Sequence, residues 1–232
     1  MAKKRVTKKE LKEPDEILSF LQKCSRFVSR YRYHVAGALV AFFLAVGVVY
    51  GYVTYQRVTE SRENAKLWDL VSSLPEKAYS LTENDYQKLV MLKSHLEDFE
   101  KEVSTPTVLL YVKYYIADID YRLGYYNQAA EKYREVLEKA GEVSELRYLC
   151  HLGLGYSLEA LGKYAEAHEH FRRAEEAALD SYNRAVAAVG AARTLEEQGK
   201  KAEARALYEK VVKEYPDFPE KGFIEVHLAT LS

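Results

Sequence analysis

Residues 152–171 read LGLGYSLEALGKYAEAHEHF. Within this stretch Gly162 is followed five positions on by Ala167 and four positions later by Phe171. Glycine takes the left-handed conformation without steric cost and so closes a helix. Alanine near the start of the next helix lets two backbones approach, and the aromatic one turn later fills the wedge above that contact. On the other side of the turn, Leu154-Gly155 puts a residue without a side chain where the partner helix must come close, and Tyr164 follows the turn as a packing plug. The stretch therefore predicts two antiparallel helices joined at Gly162.

Outward from it, the same triplet recurs as Gly124, Ala129, Tyr133 and as Gly199, Ala204, Tyr208. Three triplets in phase, each at a helix stop (Leu123-Gly124, Leu161-Gly162, Gln198-Gly199), form the signature of the tetratricopeptide repeat, TPR. The fold class is all-α, a solenoid of helical hairpins of the kind that binds other polypeptides. The turn glycines are 38 and 37 residues apart, against about 34 in the usual repeat; roughly one extra helical turn per repeat absorbs the difference. Tyr215-Pro216 ends the last repeat, because proline cannot continue a helix. Upstream, Asn84-Asp85-Tyr86 is expected as a turn. Tyr86, Leu89, Leu92 and Leu96 would then share one face of a helix running to about Glu102, partnered by a segment from Trp68 to Tyr79. This gives a stalk with a degenerate hairpin over 56–105, three repeats over 106–218, and a closing helix over 219–232 that caps the last apolar face.

The chain has 232 residues, 48% hydrophobic and 30% charged, which is enough apolar content for a sizeable core and excludes a disordered protein. Residues 35–55, VAGALVAFFLAVGVVYGYVTY, carry no charge. At about 1.5 Å per residue they match a bilayer core of ~30 Å, and Tyr31, Tyr33, Tyr50, Tyr52 and Tyr55 sit towards the two ends, where aromatic belts form. A transmembrane helix is expected, the alternative being a buried core helix. A cleaved signal peptide fits less well: the basic region is long, the apolar run exceeds the usual length, and GYVTY holds no small-x-small cleavage site.

Residues 1–34 hold ten Lys or Arg against four acids, a net +6, and so the remainder of the chain carries −7 out of the total of −1. The positive-inside bias places this stub in the cytoplasm and exports the rest, which in a bacterium means the periplasm, with 35–55 in the inner membrane. An acidic exported domain does not suit nucleic acid. Residues 1–12 are expected to be disordered. After Pro14, Ile17, Leu21, Cys24, Val28 and Tyr31 recur at helical spacing, a pattern open to two readings: a helix on an anionic membrane surface, or a bare topology signal. Cys24 and Cys150 fall on opposite sides of the membrane and cannot pair; Cys150 reads as a small core hydrophobe.

No catalytic, metal or cofactor site is expected. His34, His95, His151, His168, His170 and His227 are scattered, and His168 and His170, two apart on a helix, point in different directions. No phosphate loop or nucleophile elbow is present in the sequence. The candidate site is instead a protein-binding groove. Tyr111, Tyr114, Tyr121, Leu149, Leu152 and Tyr156 project from first helices of the repeats towards the concave side, with Arg122, Arg193, Glu159 and Glu196 at the rim; the alternative for each tyrosine is packing between hairpins. In the membrane helix, Gly47 and Gly51 are four apart, as are Gly37, Ala41 and Ala45, a spacing that lets a second helix pack closely and allows a homo-oligomer.

The basic stub DEILSFLQKCSRFVSRYRYH (15–34), one membrane helix, a stalk from near Tyr55 and hairpins such as residues 152–171 together resemble the ancillary SecYEG translocon subunit family, YfgM-type. The resemblance implies a single-pass inner-membrane protein whose periplasmic TPR domain assists newly exported polypeptides beside the translocon, together with a membrane-anchored prolyl isomerase. It implies no catalytic residues. Three functions compete on these grounds: a translocon-associated chaperone or adaptor, a scaffold for a fixed cell-envelope complex, and an enzyme, the last having least in its favour.

Overall fold

The computed structural model describes residues 13–75, 81–141 and 143–231, and of 13–17 the backbone alone. The expectations for residues 1–12, for Tyr79 and for the Ile17 side chain lie outside the described residues. Among these residues the regular elements are ten α-helices: α1 (Glu13–Arg30), α2 (Arg32–Val71), α3 (Glu83–Glu102), α4 (Pro106–Arg122), α5 (Tyr126–Lys139), α6 (Ser144–Ala160), α7 (Tyr164–Ala177), α8 (Ser181–Glu197), α9 (Lys201–Glu214) and α10 (Lys221–Thr230). The chain divides into two units at Val58 and Thr59. The first holds α1 and the apolar part of α2, whose side chains are exposed from Leu39 through Tyr55 wherever they are large and hydrophobic. The second is a solenoid of hairpins in which α4–α5, α6–α7 and α8–α9 are the repeats.

Each repeat turns by the same device. Gly124, Gly162 and Gly199 have φ of +83°, +72° and +75°. The amide after each glycine reaches back to the carbonyl five residues earlier: Tyr125 to Asp120 at 2.8 Å, Lys163 to Leu158 at 2.8 Å and Lys200 to Leu195 at 2.9 Å. Each glycine's own N–H donates to the carbonyl three residues back, which completes a Schellman closure and satisfies carbonyls a helix end would leave free. The first helices α4, α6 and α8 have 17 residues each and the second helices α5, α7 and α9 have 14. The additional turn expected from the glycine spacing is thus found in the first helices.

The signature aromatics Tyr133, Phe171 and Tyr208 are buried. A Cβ on Gly155 or on Gly190 would stand 2.7 Å from the Phe171 ring, so the ring occupies space that only missing side chains provide. Tyr133 uses Gly153 in the same way. Gly153 and Gly190 are 37 residues apart and belong to the helix that follows each aromatic; Ala117, Gly155 and Ala192, at intervals of 38 and 37, are the small residues of the helix that precedes it. Ala117 clusters with Tyr133 and Ala192 with Tyr208. The array ends where Tyr208 meets His227 of α10 edge-on, ring centroids 5.4 Å apart. α10 buries Ile224 against this core while Phe223 and Val226 stay exposed.

The start of the solenoid departs from expectation. The partner of α3 is the end of α2, which stops at Val71 shortly before Leu74-Pro75, proline disfavouring helix in the residue before it. Leu67 and Val71 join Leu89, Leu92, Leu96 and Phe99 of α3 and Val108 and Val112 of α4 in one cluster; Trp68 is exposed. Asn84-Asp85-Tyr86 is not a turn but the first turn of α3, because Thr82 and Asp85 form a reciprocal capping box. Glu63 of α2 accepts hydrogen bonds from the backbone N–H of Ser104 (2.9 Å) and Thr105 (3.0 Å), so it caps α4 from a distant helix. Asp120, fully buried on α4, accepts from Lys93 of α3 at 2.5 Å and from Lys132 of α5 at 2.8 Å, and so ties three helices.

One pairing joins histidines that are far apart in sequence. His151 of α6 and His170 of α7 meet Nδ1 to Nδ1 at 3.1 Å, so one ring donates and the other accepts. Burial, then His170, Arg173 and Arg147, push His151 down to about 4. Burial, then Arg173 and Arg134, lower His170, with Glu166 and Glu169 opposing.

Three outcomes follow from this packing. Gly190→Val lowers stability by roughly 1–3 kcal/mol in denaturant unfolding, and combining it with Phe171→Ala costs less than the sum of the two single changes, since valine then fills vacated space. Asp120→Asn costs about 3 kcal/mol, because two lysines lose their shared counter-charge. The His151–His170 pair makes the melting temperature fall as pH drops through 6.5, where free imidazole is half charged, towards 4, where His151 charges in the folded state. The unfolded chain binds more protons throughout that window, and the His151→Asn, His170→Asn double variant shows a shallower fall in thermal melts across it.

Candidate functional site

α4 and α6 are first helices of successive repeats, and their inner faces form one wall. Along α4, Tyr114, Asp118 and Tyr121–Arg122 recur at three- and four-residue steps and so share a face; Leu149, Leu152 and Tyr156 do the same on α6. These side chains, with Tyr133 and Gly153 behind them, line a cavity of about 190 Å³. Five of the six candidate groove residues are thus brought together: Tyr114, Tyr121, Leu149, Leu152 and Tyr156. All five are partly buried. Tyr111, the sixth, lines a separate cavity of about 470 Å³ with Leu67, Trp68, Val71 and Tyr115, and its hydroxyl donates to Glu145 at 3.2 Å. It lies one turn before Tyr114, where the end of α2 stands in place of a preceding repeat.

The tyrosines serve packing and lining at once. Tyr114 contacts Tyr133 with ring centroids 5.8 Å apart, and Tyr156 meets Phe171 edge-on at 5.1 Å. Tyr121 and Tyr156 approach across the cavity at 6.2 Å. Burial raises the phenols of Tyr114 and Tyr156 and pushes Tyr121 up to about 12, so all three are neutral donors at physiological pH.

Charges around the cavity are already paired. Arg122 donates through Nε to Asp118 at 2.7 Å and through Nη1 to the carbonyl of Pro75 at 2.9 Å. Burial raises Asp118, and Arg122 opposes the shift. Arg193 makes a two-pronged contact with Glu159, 2.5 and 2.6 Å, and its guanidinium lies 5.7 Å from the centre of the Tyr156 ring. Glu196 is turned to the last helix, 2.9 Å from Nε2 of His227. Asp118 was missed as a lining residue by sequence reasoning, although its position midway between Tyr114 and Arg122 is the signal that could have found it.

An apolar floor with neutral hydroxyls and balanced charges suits the side chains of a bound polypeptide better than a small charged substrate. Among the described residues no group of three or more His, Cys, Asp or Glu stands together as a metal site. Cys150 is buried, and burial pushes its thiol up to about 12, which makes it a core residue rather than a nucleophile. In α2, nothing lies within 4 Å of the positions where Cβ atoms would stand on Gly47 and Gly51.

The tetratricopeptide repeat family profile matches residues 114–189 and again 152–219. No curated protein matches the chain. A crystal structure of a TPR-like protein from Chlorobium tepidum is similar at 21% identity, over 54% of this chain and 93% of that one, with a TM-score of 0.45. Residues 114–219, with their three Schellman turns and their aromatic rings seated on glycine and alanine, form a tetratricopeptide-repeat domain, a fold that generally mediates protein–protein interaction, and among the described residues one helix, α2, is long and apolar enough to cross a membrane.

Proposed function

We propose that this protein is a membrane-anchored interaction module, held in a bacterial inner membrane by α2 with its repeats in the periplasm, and that it receives newly exported polypeptides beside the SecYEG translocon as a chaperone or adaptor. The observation that carries the reading is the cavity built jointly by α4 and α6, where aromatic and leucine side chains from two successive repeats converge while the neighbouring charges are neutralised. Such a surface offers apolar contact area with little demand for a particular sequence, as a receiver of varied unfolded chains requires. The uncharged run 35–55 and the excess of basic residues before it support the topology. The resemblance to the ancillary translocon subunits supports the location.

Photo-crosslinking from Tyr121 or Leu149 in native membranes, positions that line the cavity without contacting Tyr133 or Phe171 through a ring pair, tests the reading. The expected outcome is a spread of short-lived exported chains together with translocon subunits. Leu152→Asp is expected to reduce adduct yield about tenfold, the loss of one apolar anchor. A single stoichiometric envelope partner would make the protein a scaffold instead.

A further inference from the structure

α1 carries two chemistries on opposite sides. At about 100° per residue, Phe20, Leu21, Cys24, Phe27, Val28 and Tyr31 fall within an arc of roughly 120°. Lys23, Arg26 and Arg30 occupy the other side, Ser29 lies beyond Leu18, Ser25 borders the arc, and Leu18 is the one large apolar residue outside it. The apolar arc is uncovered: Phe20 is 66% exposed, Phe27 59% and Leu21 56%. Between residues 18 and 34 there are four basic side chains and no acidic one. The junction to α2 is Tyr31 alone, whose N–H donates to Phe27 O at 3.0 Å and whose carbonyl accepts from Val35 at 2.9 Å.

These observations decide between the two readings of the stub. A topology signal needs the cations but gives no reason for an arc of Phe, Leu and Val opposite them. An interfacial helix needs both, since burial of the arc and attraction of the cations to anionic lipid act together. With α2 in the bilayer, the end of α1 is one residue from the membrane surface, so no partner need be recruited from solution. We propose that α1 lies in the plane of the cytoplasmic leaflet, its apolar arc among the acyl chains and Lys23, Arg26 and Arg30 on the phosphates of anionic phospholipids, the two helical hydrogen bonds of Tyr31 opening to let α1 turn away from α2. This rests on the reading that α2 spans the membrane.

Cys24 sits within the arc and is exposed, whereas Cys150 is buried, so the native chain carries its own reporter. The full chain is reconstituted in nanodiscs of phosphatidylcholine with or without phosphatidylglycerol, and Cys24 is labelled with a membrane-impermeant maleimide. Labelling is expected to slow roughly tenfold with the anionic lipid, and Lys23→Glu, Arg26→Glu, Arg30→Glu together to restore it. In a Cys24→Ser, Ser29→Cys chain the thiol stands about 140° from the centre of the arc and stays fast in the anionic discs, which separates burial of the arc from lowered surface pH. Fast labelling of Cys24 in both lipids overturns the proposal. Slow labelling in both, unmoved by charge reversal, also overturns it and assigns the arc to a protein partner or a second copy. Extraction of the chain from the discs by alkaline wash would instead remove the membrane-spanning reading, and this proposal with it.

Discussion

The Phe171 ring fills a notch that exists because Gly155 and Gly190 have no side chains, and any Cβ at either position would come to within 2.7 Å of it. That contact is made from both sides, by the helix before the ring and by the helix after it. A single aromatic therefore sets the distance within one hairpin and the distance to the next. Tyr133 repeats the arrangement on Gly153 with Ala117 behind it. Protein interiors tolerate little void or overlap, so these fits leave few alternative ways to stack the hairpins. The remaining ties, Asp120 across three helices and Glu63 at the start of α4, act at the first repeat.

What the sequence made legible was local. A glycine at a helix stop announces a left-handed φ, and Gly124, Gly162 and Gly199 all adopt one. The uncharged run 35–55 announces an apolar helix. What it hid was non-local. Gly153 and Gly190 are mid-helix glycines whose role appears only when the ring they face is located. Lys93 and Lys132 carry nothing in their spacing that points to Asp120. α2 continues to Val71 because polar residues after Tyr55 end the apolar run without ending the helix. Within the candidate site, helical spacing placed five of six residues on one wall, and Tyr111 was separated by a neighbour that a repeat-based projection does not contain.

The cavity wall and the core are made of the same side chains. Tyr114 and Tyr156 hold Tyr133 and Phe171 in place while presenting their other edges to the cavity. Packing has thereby ordered these rings already, which lowers what ordering them on any binding would cost. The paired arginines and carboxylates at the margin leave no uncompensated field over the apolar floor.

Helices α3 to α10 pack on the helices next to them in the chain, α4 also approaches α6 and α6 approaches α8, and the end of α2 joins the cluster of α3 and α4. Beyond the first repeat, each hairpin packs chiefly on its neighbours in the chain. A chain with such short-range contacts closes few long loops and acquires structure quickly. For a domain that follows an apolar helix in the order of synthesis, each hairpin can settle against the one already formed as it emerges, and Gly153, which receives the Tyr133 ring, arrives only 20 residues after it.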